Sequence, residues 1–113
     1  MDKTNNILRW LLTTLVIWKV ALLAVAAYAI QVIPFKASFP YWETLLAPNG
    51  HPLYWSWGNF DGVHYLTIAK AGYIAQFTQA FFPLFPLLMR YLAQLSGSLM
   101  SAGLIIAHGF WII

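Results

Sequence analysis

Length, composition and charge place this chain of 113 residues among membrane proteins. Hydrophobic residues make up 61% of it and charged residues 8%, whereas an average soluble domain is about 25% charged. Cysteine is absent, which excludes disulfides and thiolate metal sites. The net charge of +3 comes from six dispersed basic residues, so no basic run can follow a nucleic-acid backbone. We therefore expect an all-α membrane protein without a nucleic-acid partner.

Residues 11–33 form the first predicted transmembrane helix. At 1.5 Å rise per residue they extend about 34 Å, which is enough to cross a hydrocarbon core of about 30 Å. Trp10 and Trp18 can anchor this span at the bilayer interface. Lys19 interrupts the span, and it either snorkels to the headgroups or faces a helix bundle and meets a lipid phosphate. Snorkelling is the simpler interpretation.

Orientation and processing follow from the residues around this span. Ala27-Tyr28-Ala29 fits a signal-peptide cleavage pattern, but the apolar stretch exceeds the usual core of about 7 to 15 residues, which favours a retained span. Three basic residues lie before or within the first half of the span, and two lie in the following loop. By the positive-inside rule, residues 1–10 are predicted to be cytoplasmic and residues 34–80 to form an outer loop.

The outer loop is predicted to be irregular at first and to contain one short helix. Four prolines and two glycines between residues 34 and 59 disfavour long regular elements. The aromatic side chains of this stretch favour a loop that rests on the bilayer interface and holds a substrate whose tail stays in lipid. Asp61-Gly-Val-His predicts the start of a short amphipathic helix over residues 61–71, whose first amides Asp61 can cap.

Asp61 is the main candidate for catalysis, because it is one of three acidic residues in the chain. On the predicted helix, Asp61, His64, Tyr65 and Ile68 fall within an arc of about 100°. A carboxylate beside apolar walls suits a general base, because loss of hydration strengthens a carboxylate as a base. Helix capping alone is the competing interpretation of this residue.

Other polar and aromatic residues are predicted either to bind substrate or to have structural roles. The residues predicted to bind substrate are Trp57, Tyr65, Lys70 and Arg90, of which the two cations can stabilise a phosphate leaving group. The residues predicted to be structural are Glu43, His51 and His108, with a second site carboxylate as the alternative role of Glu43. Asp61 and His64 supply only two ligands, so neither a metal nor a cofactor is expected.

Two further apolar segments are predicted to be membrane helices. Residues 81–95 carry two prolines near their start and Arg90 inside. At about 22 Å they are short for a crossing, and they form either a short span or a helix that dips into the membrane and returns. The span is the preferred interpretation. Residues 99–113 follow a Ser-Gly-Ser break and predict the truncated start of a third membrane helix.

Three sequence blocks resemble the PIG-V-type mannosyltransferases, which are multispanning glycosyltransferases of the GT-C class related to GPI-anchor biosynthesis. The blocks are Asp-Gly-Val-His-Tyr-Leu-Thr-Ile-Ala-Lys-Ala-Gly-Tyr at 61–73, Phe-Phe-Pro-Leu-Phe-Pro-Leu-Leu at 81–88 and Ala-Gly-Leu-Ile-Ile at 102–106. They occur in family order behind a first span. Phe60 departs from the family, in which Trp often precedes the Asp.

The resemblance implies the N-terminal part of a GT-C fold, with a first span, a large outer loop and further spans. It implies transfer of mannose from a polyprenyl-phosphate carrier, such as dolichyl-phosphate mannose, to a lipid-linked or glycan acceptor with inversion. Asp61 would be the acid near the active site and His64 its neighbour. Such multi-pass enzymes reside in the bacterial cytoplasmic membrane or the endoplasmic reticulum.

GT-C enzymes are several hundred residues long, so the segment alone is expected to be inactive. The alternative hypothesis is a small noncatalytic integral membrane protein that packs against a partner complex. A transporter segment is less favoured, because the first span lacks the paired charges and the broken helix suited to a midplane site.

Overall fold

The computed structural model describes residues 3–34 and 41–110. Every regular element in those residues is helical, which confirms the prediction of an all-α chain. The chain divides into two compact units, Met1–Lys36 and Ala37–Ile113, which are described separately below. The remaining residues of the predicted N-terminus, outer loop and third membrane helix lie outside the described part.

The first unit contains a single described helix, α1, over Lys3–Val32. Its 30 residues extend about 45 Å and include most of the predicted span, but they also take in most of the residues assigned to a cytoplasmic N-terminus. Among the described helices, α1 is the one that is long and apolar enough to cross a membrane. The helix ends just before Pro34, where the chain is biased away from helical conformation.

Polar side chains of α1 bond to the helix itself. The hydroxyl of Thr13 donates to the carbonyl of Arg9 at 2.8 Å, and the Gln31 amide donates to the carbonyl of Ala27 at 3.1 Å. Such bonds satisfy polar groups without water. The two polar residues are therefore compatible with a hydrocarbon environment.

The described residues 41–110 of the second unit contain four α-helices joined by turns. The helices are α2 over Pro52–Trp55, α3 over Asp61–Ala71, α4 over Leu84–Ser96 and α5 over Leu99–Gly109. A π-helical turn occupies Trp42–Leu46, and 3-10 turns occupy Ala47–Asn49, Ser56–Gly58 and Thr78–Ala80. Helix α3 lies over the residues for which the active-site helix was predicted.

Helices α4 and α5 form a hairpin. Helix α4 ends at Gly97, whose φ of 73° is left-handed and whose amide donates to the carbonyl of Ala93 at 2.8 Å. The hydroxyl of Ser98 then accepts from the amide of Ser101 at 3.2 Å and caps α5. With 13 and 11 residues, the two helices extend about 20 Å and about 17 Å. Both lengths are shorter than a bilayer core, and the choice between a span and a dipping helix stays a prediction.

Helix α3 is not amphipathic, contrary to the sequence-based prediction. Its buried residues are Val63, Leu66, Ile68 and Ala69. At 100° per residue these positions cover an arc of about 220°, which is more than half of the helix circumference. Tertiary packing explains this burial, because α3 packs against the turn at Trp42–Leu46 as well as against α4 and α5. The middle of α3 is thus packed on several sides within the second unit, whereas Asp61 and Lys70 near its ends are exposed.

Two glycines let methionines approach the backbone in the core. A Cβ added at Gly58 would lie 2.9 Å from the Cε and Sδ atoms of Met100, and one added at Gly103 would lie 3.0 Å from the Cε atom of Met89. The buried hydrophobic cluster comprises Leu46, Trp55, Val63, Leu66, Ala69, Met89, Met100 and Ile106. This cluster positions α3 relative to the α4–α5 hairpin.

Candidate functional site

A strained turn precedes α3. Phe60 has a φ of 58° and a ψ of −118°, and the amide of Gly62 donates to the carbonyl of Asn59 at 3.3 Å. These angles match the first central position of a type II′ turn, which glycine normally occupies. A bulky residue in such a region costs on the order of 1–3 kcal/mol, and such strain is concentrated at functional sites. The strained residue Phe60 directly precedes Asp61, which is consistent with a functional site at this turn.

Asp61 does not cap α3, contrary to the capping interpretation of the sequence. The N-cap position belongs to Phe60, which makes no side-chain cap, and Asp61 is the first helical residue. The first helical residue has helical backbone angles. It lacks the extended backbone from which the side chain of an N-cap residue reaches the following amides. Within residues 3–34 and 41–110, the exposed carboxylate of Asp61 takes part in no hydrogen bond or ion pair. Its oxygens are therefore accessible to a ligand.

His64 belongs to an aromatic cluster one turn after Asp61. Its ring stacks on Phe81 with the centroids 5.1 Å apart and the planes tilted by 32°. Tyr65 meets Phe81 edge-on at 5.0 Å and Phe85 at 4.9 Å. Since residues three apart on a helix have Cβ atoms about 5–6 Å apart, Asp61 and His64 lie on one face. The structure thus brings Asp61, His64 and Tyr65 together.

Phe81 and Phe85 were missed as site residues. Both were assigned to a membrane helix, yet their rings hold His64 and Tyr65 on α3. Their spacing of four residues is a signal for a shared helix face. In the structure, however, Phe81 precedes α4 and only Phe85 lies in it.

An apolar cavity of about 160 Å³ lies beside the start of α3. It is lined by Trp57, Gly58, Gly62, Tyr65, Leu66, Phe85, Met89, Met100, Gly103, Leu104 and Ala107. A Cβ added at Gly62 would meet no atom within 4 Å, so the backbone leaves open space there. An enclosed apolar cavity of about 150 Å³ stays dry and binds a hydrocarbon such as benzene, and this partly open space has a similar volume. The predicted residues Trp57 and Tyr65 thus border a hydrocarbon-sized space that Gly62, the residue after Asp61, also lines.

The two predicted phosphate partners lie towards the opposite end of α3. The Nε atom of Arg90 donates to the carbonyl of Ala69 at 2.8 Å, and its Nη2 atom donates to the carbonyl of Ile68 at 3.2 Å. Along the helix axis Asp61 is about 10 Å from Ile68 and about 14 Å from Lys70. The structure therefore does not bring either cation together with Asp61, and Arg90 bonds to the last turn of α3.

The remaining polar candidates have local structural contacts. The Nδ1 atom of His51 accepts from the amide of Leu53 at 3.1 Å and caps α2, and the Nδ1 atom of His108 lies 2.7 Å from the carbonyl oxygen of Leu104. Glu43 is exposed in the π-helical turn. The described residues contain no group of three or more His, Cys, Asp or Glu side chains able to hold a metal ion.

Comparison with known proteins returned no relative of this chain. No protein-family model, curated protein or solved structure matches it. Function is therefore inferred from the residues and their geometry, and the PIG-V-type resemblance is a hypothesis based on the three sequence blocks.

Proposed function

We propose that this chain belongs to an integral, multi-pass membrane glycosyltransferase. The enzyme transfers a sugar, with mannose as the first candidate, from a polyprenyl-phosphate carrier to a lipid-linked or glycan acceptor. The observation that supports this proposal best is the accessible carboxylate of Asp61, which directly precedes Gly62 in the lining of an apolar cavity. That arrangement suits a substrate with a polar reacting end and a hydrocarbon tail.

Asp61 acts as the general base in this proposal. The acceptor hydroxyl gives its proton to the carboxylate while its oxygen forms a bond to the anomeric carbon. The bond between that carbon and the phosphate oxygen breaks, and the lipid phosphate leaves with the electron pair. A single displacement of this kind inverts the anomeric centre. A positioned base contributes about 10²- to 10⁴-fold to such a step.

The aromatic cluster and the cavity position the substrate. His64 contacts Phe81 and lies on the face that carries Asp61, where a ring nitrogen can bond to a substrate oxygen. Trp57 and Tyr65 border the apolar space that takes a segment of the carrier's hydrocarbon chain. Helix α1 supplies the membrane anchor for a protein that acts on such a lipid.

The test is a transfer assay with membranes that contain the protein expressed from its intact gene. Polyprenyl-phosphate mannose is the donor, and Asp61→Asn is compared with Glu43→Gln. Both substitutions remove one exposed acidic charge, but only the first removes the assigned base. We expect Asp61→Asn to lower the transfer rate at least about 100-fold and Glu43→Gln to leave it within about twofold.

Wild-type transfer by Asp61→Asn would contradict the assignment of the base. Transfer of other sugars but not mannose from the same carrier would keep the reaction class and change the donor. If the wild-type protein transferred none of the lipid-linked sugars tested, the noncatalytic membrane protein would become the better hypothesis.

A further inference from the structure

A second recess lies at the far end of α3, away from Asp61. It has a volume of about 390 Å³ and lies between the last turns of α3, the π-helical turn and the α4–α5 connection. It is lined by Thr44, Leu45, Pro48, Asn49, Leu66, Lys70, Gly97, Ser98 and Leu99. It shares only Leu66 with the apolar cavity. The recess is therefore a site separate from that of the proposed base.

The recess is suited to an anion. Among the described residues that line it, Lys70 is the one charged residue and none is a carboxylate. The ammonium of Lys70 makes no hydrogen bond or ion pair within the part of the chain that the structure describes, and the side chain is exposed. Lys70 thus offers a full positive charge to a ligand in the recess.

Ser98 and Leu99 add neutral donors to this charge. The Ser98 oxygen accepts from the amide of Ser101, which leaves its hydroxyl hydrogen available. The amide of Leu99 is the first of α5, and the first amides of a helix have no carbonyl partner within it. An ammonium, a hydroxyl and an amide together match the oxygens of a phosphate group.

An exposed apolar stripe runs along α4, whose C-terminal end borders the recess at Gly97. The stripe consists of Leu84, Leu87, Tyr91 and Leu95, which fall within an arc of about 80°. Leu95 is 86% exposed and lies two residues before Gly97, which lines the recess. A phosphate beside exposed hydrocarbon-binding side chains is the arrangement of a phospholipid headgroup and its acyl chains.

We propose that this recess binds the phosphate of an anionic membrane phospholipid, with Lys70 as the cationic partner and the α4 stripe against the acyl chains. The site is distinct from the leaving-group phosphate, because Lys70 lies about 14 Å along α3 from Asp61. It also does not depend on the glycosyltransferase proposal. A chain without transfer activity would bind the lipid equally well.

The test is a titration of the isotopically labelled chain in nonionic detergent micelles with dihexanoyl phosphatidylglycerol. The amide chemical shifts of Gly97, Ser98 and Leu99 report binding at the recess. We expect these shifts to saturate and Lys70→Gln to weaken the affinity about fivefold, which corresponds to about 1 kcal/mol for one cation at a membrane surface. The matched control Lys3→Gln, which removes a lysine from α1, should leave the affinity within about twofold.

Three outcomes would overturn the proposal. The first is the absence of shifts at the recess amides on addition of the lipid. The second is equal weakening by Lys70→Gln and Lys3→Gln, which would show binding by surface charge alone. The third is an affinity for inorganic phosphate equal to that for the lipid, which would assign the recess to free phosphate. The substitution Asp61→Asn should not change the titration, so this proposal can fail or succeed without the proposed catalysis.

Discussion

Arg90 bonds to the last turn of α3, and its replacement measures how much this contact stabilises that turn. The sequence predicts that Arg90 binds substrate phosphate, whereas the structure places its guanidinium on the carbonyls of Ile68 and Ala69. The perturbations are Arg90→Met, which removes charge and donors, and Arg90→Lys, which keeps the charge but loses the planar pair of donors. If the contact is structural, both changes should loosen the last turn of α3.

The magnitude follows from the two bonds of 2.8 Å and 3.2 Å. A hydrogen bond to a charged group contributes about 1.5–3 kcal/mol when it is buried. Arg90 is exposed, so water competes for its donors, and we expect about 1–2 kcal/mol for both bonds together. That range corresponds to a change of about 5- to 30-fold in the opening equilibrium of the turn.

The assay is hydrogen exchange at the amide of Gly72, which donates to the carbonyl of Ile68 at 2.9 Å. We expect exchange to be about 5- to 30-fold faster in Arg90→Met and intermediate in Arg90→Lys. Arg9→Met is the matched control, because it removes an arginine from α1 and should leave Gly72 unchanged. Unchanged exchange at the Gly72 amide in Arg90→Met would show that the two hydrogen bonds do not stabilise the last turn of α3. Full protection in Arg90→Lys would show that charge alone stabilises the turn.

Two further predictions concern backbone positions next to the candidate site. Gly58→Ala should lower the free energy of unfolding by about 1–3 kcal/mol, because its Cβ would lie 2.9 Å from Met100 atoms. Gly109→Ala, whose Cβ meets nothing within 4 Å, is the control in denaturant titrations, and equal effects would contradict the packing argument. Phe60→Gly should raise the free energy of unfolding by about 1 kcal/mol, because glycine adopts a φ of 58° without strain. A loss of stability in the same titration would mean that contacts of Phe60 outweigh the strain.

The sequence predicts the helical character of this chain well. Apolar residues without proline between Leu11 and Ile33 predict a long helix, and the Asp-Gly-Val-His start predicts a short helix over residues 61–71. These signals are local, because they depend on hydrophobicity, capping and glycine. The structure has helices over both stretches, and it extends the first helix back to Lys3.

Tertiary contacts decide what the sequence does not predict. An apolar segment that contains Arg90 predicts a buried or phosphate-binding cation, but the packing of α4 against α3 brings Arg90 to the last turn of α3. Helix periodicity predicts one apolar face on α3, whereas the turn at Trp42–Leu46 and the α4–α5 hairpin bury several faces. The positive φ of Phe60 has no local signal, since glycine is the residue that such a turn favours.

The two proposed sites constrain how α3 lies relative to a bilayer. Arg90 donates two hydrogen bonds to the last turn of α3. Along the axis of this helix, Asp61 and Lys70 are separated by a fixed distance of about 14 Å. The polar region on each side of the hydrocarbon core is only about 5–8 Å thick. If Lys70 binds a phosphate in that layer, an upright α3 would place Asp61 outside it. A nearly parallel α3 keeps Asp61 at the depth at which the phosphate of a polyprenyl carrier lies. The base and the lipid site can therefore operate in one protein only if α3 lies along the membrane surface.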